Sequence, residues 1–405
     1  MNPEMPPEAE DFRREIRGFL DQHLPSGWAG LGSLSTDEAT TFTEHWRSLL
    51  ASSGYLVPAW PREYGGAGLT KLQQVVMVEE FVKAGVPTNG ANDNFSIKMI
   101  GNLLLKFGTP EQKAHFLPRI VSGEDRWCQG FSEPGAGSDL ASLTTKARLV
   151  DGEWIIDGQK VWTSEATSAN WMFVLARTHP DAPRHRGISM LLVPVEQEGI
   201  DVRPIRMITG GSAFSEVFFT GARTPAENVV IGVDEGWKAA MALLGLERGD
   251  EAATNPIMFR AEVDRLVQLV RERGLSDDEV VRDQVARAYT RARIMSFLGS
   301  RTLTGWLNGE PPGTEASVSK LYWSEHHRST TDLAMTLLGP AGMVPHGRAP
   351  LRHFRTDDPT APNSTASWAG TWLTAISGTI YAGTSEIQRN ILAESALGLP
   401  REPRG

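Results

Sequence analysis

Hydrophobic periodicity changes twice along this 405-residue chain, and that change restricts its fold more than any other feature. Residues 1 to about 126 carry helical spacing. Phe12, Ile16, Phe19 and Leu20 share one face of a helix predicted over 10–20, and 71–84 and 94–107 read the same way. A loop with Pro58, Trp60, Pro61 and the Gly65-Gly66 pair interrupts them. From 127 to 232 the pattern turns to short β-type runs. Residues 147–150 and 153–156 flank Asp151-Gly152, a dipeptide that supplies the positive φ of a type I′ hairpin. Further strands are predicted at 171–176, 188–193 and 217–219. From 235 to 395 helix returns, with Phe259, Val263, Leu266, Val267 and Val270 on one face and long helices over 282–303 and 316–338. Helix, then β, then helix, without a βαβ rhythm, argues against a doubly wound nucleotide-binding fold. The expected domains are 1–126, 127–234 and 235–405.

Charge and cysteine content remove other classes. Forty Lys and Arg against 49 Asp and Glu leave a net charge of −9, which argues against a nucleic-acid binder. Cys128 is the single cysteine, so no internal disulfide or thiolate-rich metal site can form. The nine histidines are scattered, and adjacent His326 and His327 would point about 100° apart on a helix; no metal site is expected. The acidic, proline-rich start lacks the pattern of a secretory signal, and no apolar run approaches the roughly 20 residues of a membrane span. The expectation is a cytoplasmic protein without membrane insertion.

Nucleotide and hydrolase signatures are missing: no G-x-G-x-x-G follows a strand, and neither a P-loop nor a G-x-S-x-G elbow occurs. Four stretches remain. Residues 129–139, Gln-Gly-Phe-Ser-Glu-Pro-Gly-Ala-Gly-Ser-Asp, bring unhindered backbone N–H groups to a ligand, or form a plain surface turn. Residues 160–164, Lys-Val-Trp-Thr-Ser, set an indole beside two hydroxyls, a pairing suited to a planar heterocycle or to a core Trp and a turn. In residues 381–390, Thr384 and Ser385 after Gly383 read as a helix N-cap. Leu246-Glu247-Arg248 lies in a helical stretch, as a candidate base or as a solvated face.

Together these stretches resemble the acyl-CoA dehydrogenase family. Trp60-Pro-Arg-Glu-Tyr-Gly-Gly66, Phe107-Gly-Thr-Pro-Glu-Gln-Lys113 with Leu117-Pro118, Ser132–Asp139, Trp162-Thr163-Ser164 and Gly383-Thr-Ser-Glu-Ile-Gln-Arg389 match its signatures in order along nearly the whole chain. The resemblance implies an α+β multidomain fold: an N-terminal all-helical domain, a middle β-barrel-like domain and a C-terminal four-helix bundle. It implies bound FAD and oxidation of an acyl-CoA to its trans-2-enoyl form. By the same resemblance, Gln129, Phe131, Ser132, Gly137 and Ser138 line the flavin and substrate cleft. Trp162, Thr163 and Ser164 meet the isoalloxazine, and Thr384 and Glu386 lie near the ribityl–pyrophosphate. Ser138, Arg248, Ala382 and Gly383 fall on the substrate side.

The implied chemistry explains the residue types. An α C–H beside a thioester is a weak acid, so its removal needs a carboxylate in a dry pocket and hydrogen bonds to the developing enolate. Many members carry the catalytic Glu between the Tyr and Gly of the C-terminal motif, where this chain has Ala382. A second family pattern places the base in a Leu-Glu-Arg context, which Glu247 matches. The backbone N–H at 382 keeps its donor. The adenine-end elements are weak: Thr336 and residues 339–342 replace a Gln and a Gly-Gly pair, and no Arg-x-x-Phe element is clear over 271–282. These departures resemble the bacterial branch that takes bulky or steroid-derived acyl-CoAs, and they raise a mixed assembly with a second chain. Electron-transferring flavoprotein is the expected electron acceptor, in a homo- or hetero-oligomer. Flavin monooxygenases and oxidases share the scaffold and remain open here, as does a non-catalytic subunit.

Overall fold

The computed structural model describes residues 6–90, 92–310, 315–344 and 367–401, with the side chains of 32, 36, 246–252, 315 and 316 outside that description. The helix–β–helix order holds. Helices α1 (Pro7–His23), α2 (Thr36–Ser53), α3 (Lys71–Ala84), α4 (Asn102–Phe107) and α5 (Pro110–Ser122) precede strands β1 (Trp127–Gly130), β2 (Lys146–Val150), β3 (Glu153–Ser164), β4 (Trp171–Arg177), β5 (Ile188–Pro194), β6 (Ile200–Ile205) and β7 (Phe214–Pro225). Helices α6 (Gly236–Glu272), α7 (Glu279–Leu307), α8 (Glu315–Leu338), α9 (Trp368–Ala375) and α10 (Ser385–Ile391) follow. The chain divides into two compact units that interleave in sequence. One holds Met1–Arg47, Ala67–Thr88 and Arg248–Gly405; the other holds Ser48–Gly66 and Asn89–Glu247.

In the first unit α1 packs on α3 through a buried carboxylate. Glu80 receives Arg13, Arg17 and Lys83, the last two at 2.8 Å. Burial opposes its ionisation, yet Arg17, Lys83 and Arg13 together hold the carboxyl down to about 2. Thr70 and Gln73 form a capping box that starts α3 where the spacing placed it. In the C-terminal part Asp278 caps α7 by accepting from the Val280 and Val281 amides. Phe259, Val263 and Leu266 of α6, Ala292 and Met295 of α7 and Ala334 of α8 share one core.

In the second unit the sheet runs β1-β4-β2-β3-β7-β6, with β5 also paired to β4. Its pairs are antiparallel except that β4 runs parallel to β1 and to the first residue of β2, Lys146. The β2–β3 hairpin turns at Asp151 (φ 50°) and Gly152 (φ 83°), as the dipeptide requires. The sheet buries Cys128, Trp154, Ile156, Met172, Val174, Leu191 and Val217. Burial pushes the Cys128 thiol far above its ordinary range, with the Glu165 charge adding to the shift.

Two of the N-terminal signatures have structural reasons. A Cβ on Gly66 would stand 2.1 Å from the Trp60 carbonyl oxygen, and one on Gly101 would stand 2.5 Å from the Trp60 ring. Only glycine allows that tryptophan to seat, with its Nε1 donating to Asn102 at 2.8 Å. The helix expected over 94–107 opens into π turns at Asn94–Gly101 before α4, and the buried Ser96 hydroxyl accepts from the Trp127 amide at 3.0 Å. In the second signature, Thr109 and Gln112 form a capping box, and the Gln112 amide donates onward to the carbonyls of Glu227 and Val229. Among the described residues no helix is long and apolar enough to cross a membrane.

Candidate active site

Strand β3 leaves its ladder at one point. Its pairing with β7 slips between Lys160 and Thr163, so that Val161 and Trp162 form a bulge. The Val161 amide turns to the carbonyl of Ser132 at 2.9 Å. Trp162 takes φ 59°, costly for a bulky residue, and is 60% exposed, with its ring perpendicular to that of Phe214. The reading of a core tryptophan is therefore excluded. Beside it, Thr163 is buried and Ser164 half-buried.

The loop that follows β1 begins at Phe131, which is buried against Phe173. Glu133 and Ala136 exchange both backbone hydrogen bonds at 3.0 Å, closing a tight turn over Pro134 and Gly135. Gly137 and Ser138 are exposed, and a Cβ at Gly135 or Gly137 would meet nothing within 4 Å. The far end is held by Asp139, which pairs with Arg184. Gln129 is half-buried on β1. Among the described residues, the hydroxyls of Ser132, Ser138 and Ser164 have no hydrogen-bond partner. An exposed indole face, free hydroxyls and open glycines fit a planar heterocycle with polar edges.

The core of this site is one the sequence reading missed. Glu133 and Lys160 are both buried and stand 2.9 Å apart. Burial opposes the charge on Glu133, but Lys160 and donors from Thr145 and Thr144 hold the carboxyl down to about 2. Complete burial draws the Lys160 ammonium down to about 8 against the pull of Glu133. The signal was present in the alternation of β3, where Lys160 shares the inward face of Trp154 and Ile156.

The C-terminal motif lies in the other unit. Thr384 caps α10 by accepting from the Ile387 amide at 3.2 Å, as the N-cap reading predicts. Ala382 takes φ 53° and Gly383 φ 89°. Their carbonyls are held by side chains that the sequence did not single out: Gln388 donates to Ala382 at 3.0 Å, and the buried Lys320 ammonium donates to Gly383 at 2.6 Å and Gly378 at 3.0 Å. Glu386 is exposed, and its carboxyl is lowered by its own backbone amide and the Thr384 hydroxyl. Glu247 lies on α6, with Arg248 next along the helix; their side chains lie outside the described residues. Thr336 is exposed on α8, its hydroxyl turned back to the Asp332 carbonyl.

Comparison with known proteins identifies the family. Three family models match consecutive segments: the N-terminal domain of acyl-CoA dehydrogenase over residues 6–124, the middle domain over 128–222 and the C-terminal domain over 234–397. Acyl-CoA dehydrogenase IpdE1 of Mycobacterium tuberculosis is 42% identical over 403 residues, covering 98% of this chain and 100% of that protein. The solved structure of the Tcur3481-Tcur3483 steroid ACAD superposes with a TM-score of 0.80 at 32% identity, covering 99% of this chain and 100% of that one. The ChsE4-ChsE5 complex from Mycobacterium tuberculosis gives 0.78 at 27% identity, with coverage of 99% and 100%. With all three domains matched in order, the chain belongs to the acyl-CoA dehydrogenase family of oxidoreductases.

Proposed function

We propose that this chain binds FAD and oxidises the Cα–Cβ bond of a bulky, steroid-derived acyl-CoA to the trans-2-enoyl thioester. The observation that carries the reading is Trp162, a bulky residue held at positive φ and 60% exposed, two positions before Ser164 and next to Val161, whose amide donates to the Ser132 carbonyl. Such a conformation costs on the order of 1–2 kcal/mol. Bound FAD supplies a hydride acceptor. The chain's own residues do the rest: Glu247 takes the α-proton, and the backbone N–H of Ala382 donates to the thioester carbonyl. Ser132, Ser138 and Ser164 supply hydroxyls, while Gln129, Phe131, Gly137 and Thr163 complete the wall. Thr384 and Glu386 attend the ribityl–pyrophosphate, and Arg248 and Gly383 the substrate.

The steroid class is supported by the steroid ACAD at 32% identity and by the Leu-Glu-Arg context of Glu247. Assembly with a second, different chain is supported by the paired names of both structural relatives and by the weak adenine-end elements. Electron-transferring flavoprotein is the proposed acceptor, and the cytoplasm the proposed compartment. The test is an anaerobic titration of the flavin-loaded protein with straight-chain and steroid-side-chain acyl-CoAs, alongside Glu247→Gln. Bleaching of the flavin band by the steroid thioester in the parent and not in the variant is the expected result. No bleaching by any thioester, or turnover that reoxidises in air within a catalytic cycle, would replace this reading with an oxygen-using one. A mass measurement of the purified assembly separates one chain type from two.

A further inference from the structure

We infer that Lys160 and Glu133 are positioning residues that lock the Ser132 loop to the Trp162 bulge, so that the two surfaces proposed to hold the flavin keep one fixed separation. This inference rests on the proposed flavin site. The geometry is specific. Lys160 Nζ donates to the carbonyl of Phe131 at 3.0 Å and to Glu133 Oε1 at 2.9 Å, the residues on either side of Ser132. The Val161 amide takes the Ser132 carbonyl itself. Three successive loop residues are thus bound to two successive strand residues, directly before Trp162.

Glu133 is saturated from the opposite side. Its Oε2 accepts from the Thr144 amide at 2.7 Å and the Thr144 hydroxyl at 2.8 Å, and Oε1 accepts from the Thr145 amide at 2.9 Å. The carboxylate thereby ties the start of the loop to its return into β2. The inward face of β3 already carries Trp154 and Ile156, so an apolar residue at 160 would be the ordinary choice. Exchange of a buried ion pair for apolar side chains of similar volume is often neutral or stabilising. Stability alone therefore does not account for the pair. Directed hydrogen bonds do, because they fix position where apolar contact allows slip.

The test compares the wild type, Glu133→Gln, and the double variant Glu133→Leu with Lys160→Met. It measures denaturant unfolding, hydrogen exchange of the 132–145 amides in flavin-free protein, and FAD affinity by fluorescence titration. The double variant leaves the Thr144 and Thr145 amides and the Phe131 carbonyl without their wild-type partners, so it is expected to keep the native fold and to unfold at a lower midpoint. Its loop amides exchange at least about tenfold faster and its FAD affinity falls by a similar factor, as expected when the charge-assisted hydrogen bonds of Lys160 and Glu133 are lost. Glu133→Gln keeps volume and one acceptor and should fall between; it carries the test if the double variant does not fold. Wild-type exchange and wild-type affinity in a folded variant would overturn the inference. A wild type that binds no FAD but shows the protected loop, lost in the variants, would overturn the flavin reading and leave the lock standing. Loop amides equally fast in every form would remove the lock.

Discussion

His327 Nδ1 stands 2.8 Å from a carboxylate oxygen of Glu262, both sealed within the C-terminal helical core. Glu262 comes from α6 and His327 from α8, and Phe259, one turn before Glu262, packs on both His327 and His326. The two atoms face each other outside hydrogen-bonding geometry, so Glu262→Ala removes only their close polar contact and is expected to lower unfolding free energy by about 1–3 kcal/mol. Denaturant titration with fluorescence detection reads this directly. A loss below about 1 kcal/mol, the scale of an exposed pair, would mean that the two groups contribute nothing to each other.

His326 makes the same core pH-sensitive. Burial pulls its imidazole down to about 4 from an ordinary 6.5, against the attraction of Glu262 and with the His327 and Arg291 charges adding to the fall. The unfolded chain takes its proton near 6.5, before the folded one does. The contribution is thus complete above 6.5 and is lost as pH falls through 4, by on the order of 3 kcal/mol. Unfolding curves at pH 7, 5 and 4 should steepen this decline in the wild type and flatten it in His326→Gln. Parallel curves would contradict the assignment.

Glu80 sets a second acid-sensitive point. Its depressed carboxyl contributes stability that is whole above about 4.5 and vanishes toward pH 2. Glu80→Ala strands the half of Arg13 that faces it and should destabilise by about 3 kcal/mol at neutral pH. The difference between variant and wild type should shrink as pH approaches 2, which circular dichroism at a series of pH values would follow. A difference that stays constant in acid would exclude the carboxylate as its source.

Trp162→Gly separates folding from function. Glycine adopts φ 59° without a Cβ penalty, so the variant is expected to be more stable by about 1 kcal/mol. The same change removes the exposed indole, and FAD affinity should drop about tenfold through lost stacking. Thermal denaturation without flavin and fluorescence titration with it give the two numbers. A variant that binds FAD as tightly as the parent would remove Trp162 from the site.

Element type and order were legible because they rest on local rules. The Asp151-Gly152 turn, the Thr384 cap and the 3.6-residue stripe of α6 each follow from residues a few positions apart. What stayed hidden depends on pairs far apart in sequence. Glu133 finds Lys160 across 27 positions, and Lys320 finds Gly378 and Gly383 across about 60. A buried lysine in a strand or helix reads as a solvated charge until its partner is known. The family signatures mixed the two kinds of residue: Trp60 and Gly66 serve packing, whereas Trp162 is turned outward. Spacing alone does not distinguish those roles, because both leave the same letters in the chain.

The burial of Cys128 has a practical consequence for all of these measurements. With the chain's single sulfhydryl shut inside the sheet, the folded protein is silent to maleimide reagents, and a slow labelling rate would clock the opening of β1. Any cysteine introduced at the surface then becomes a unique attachment point. A dye at Ser138 could be watched without first stripping the background from the molecule.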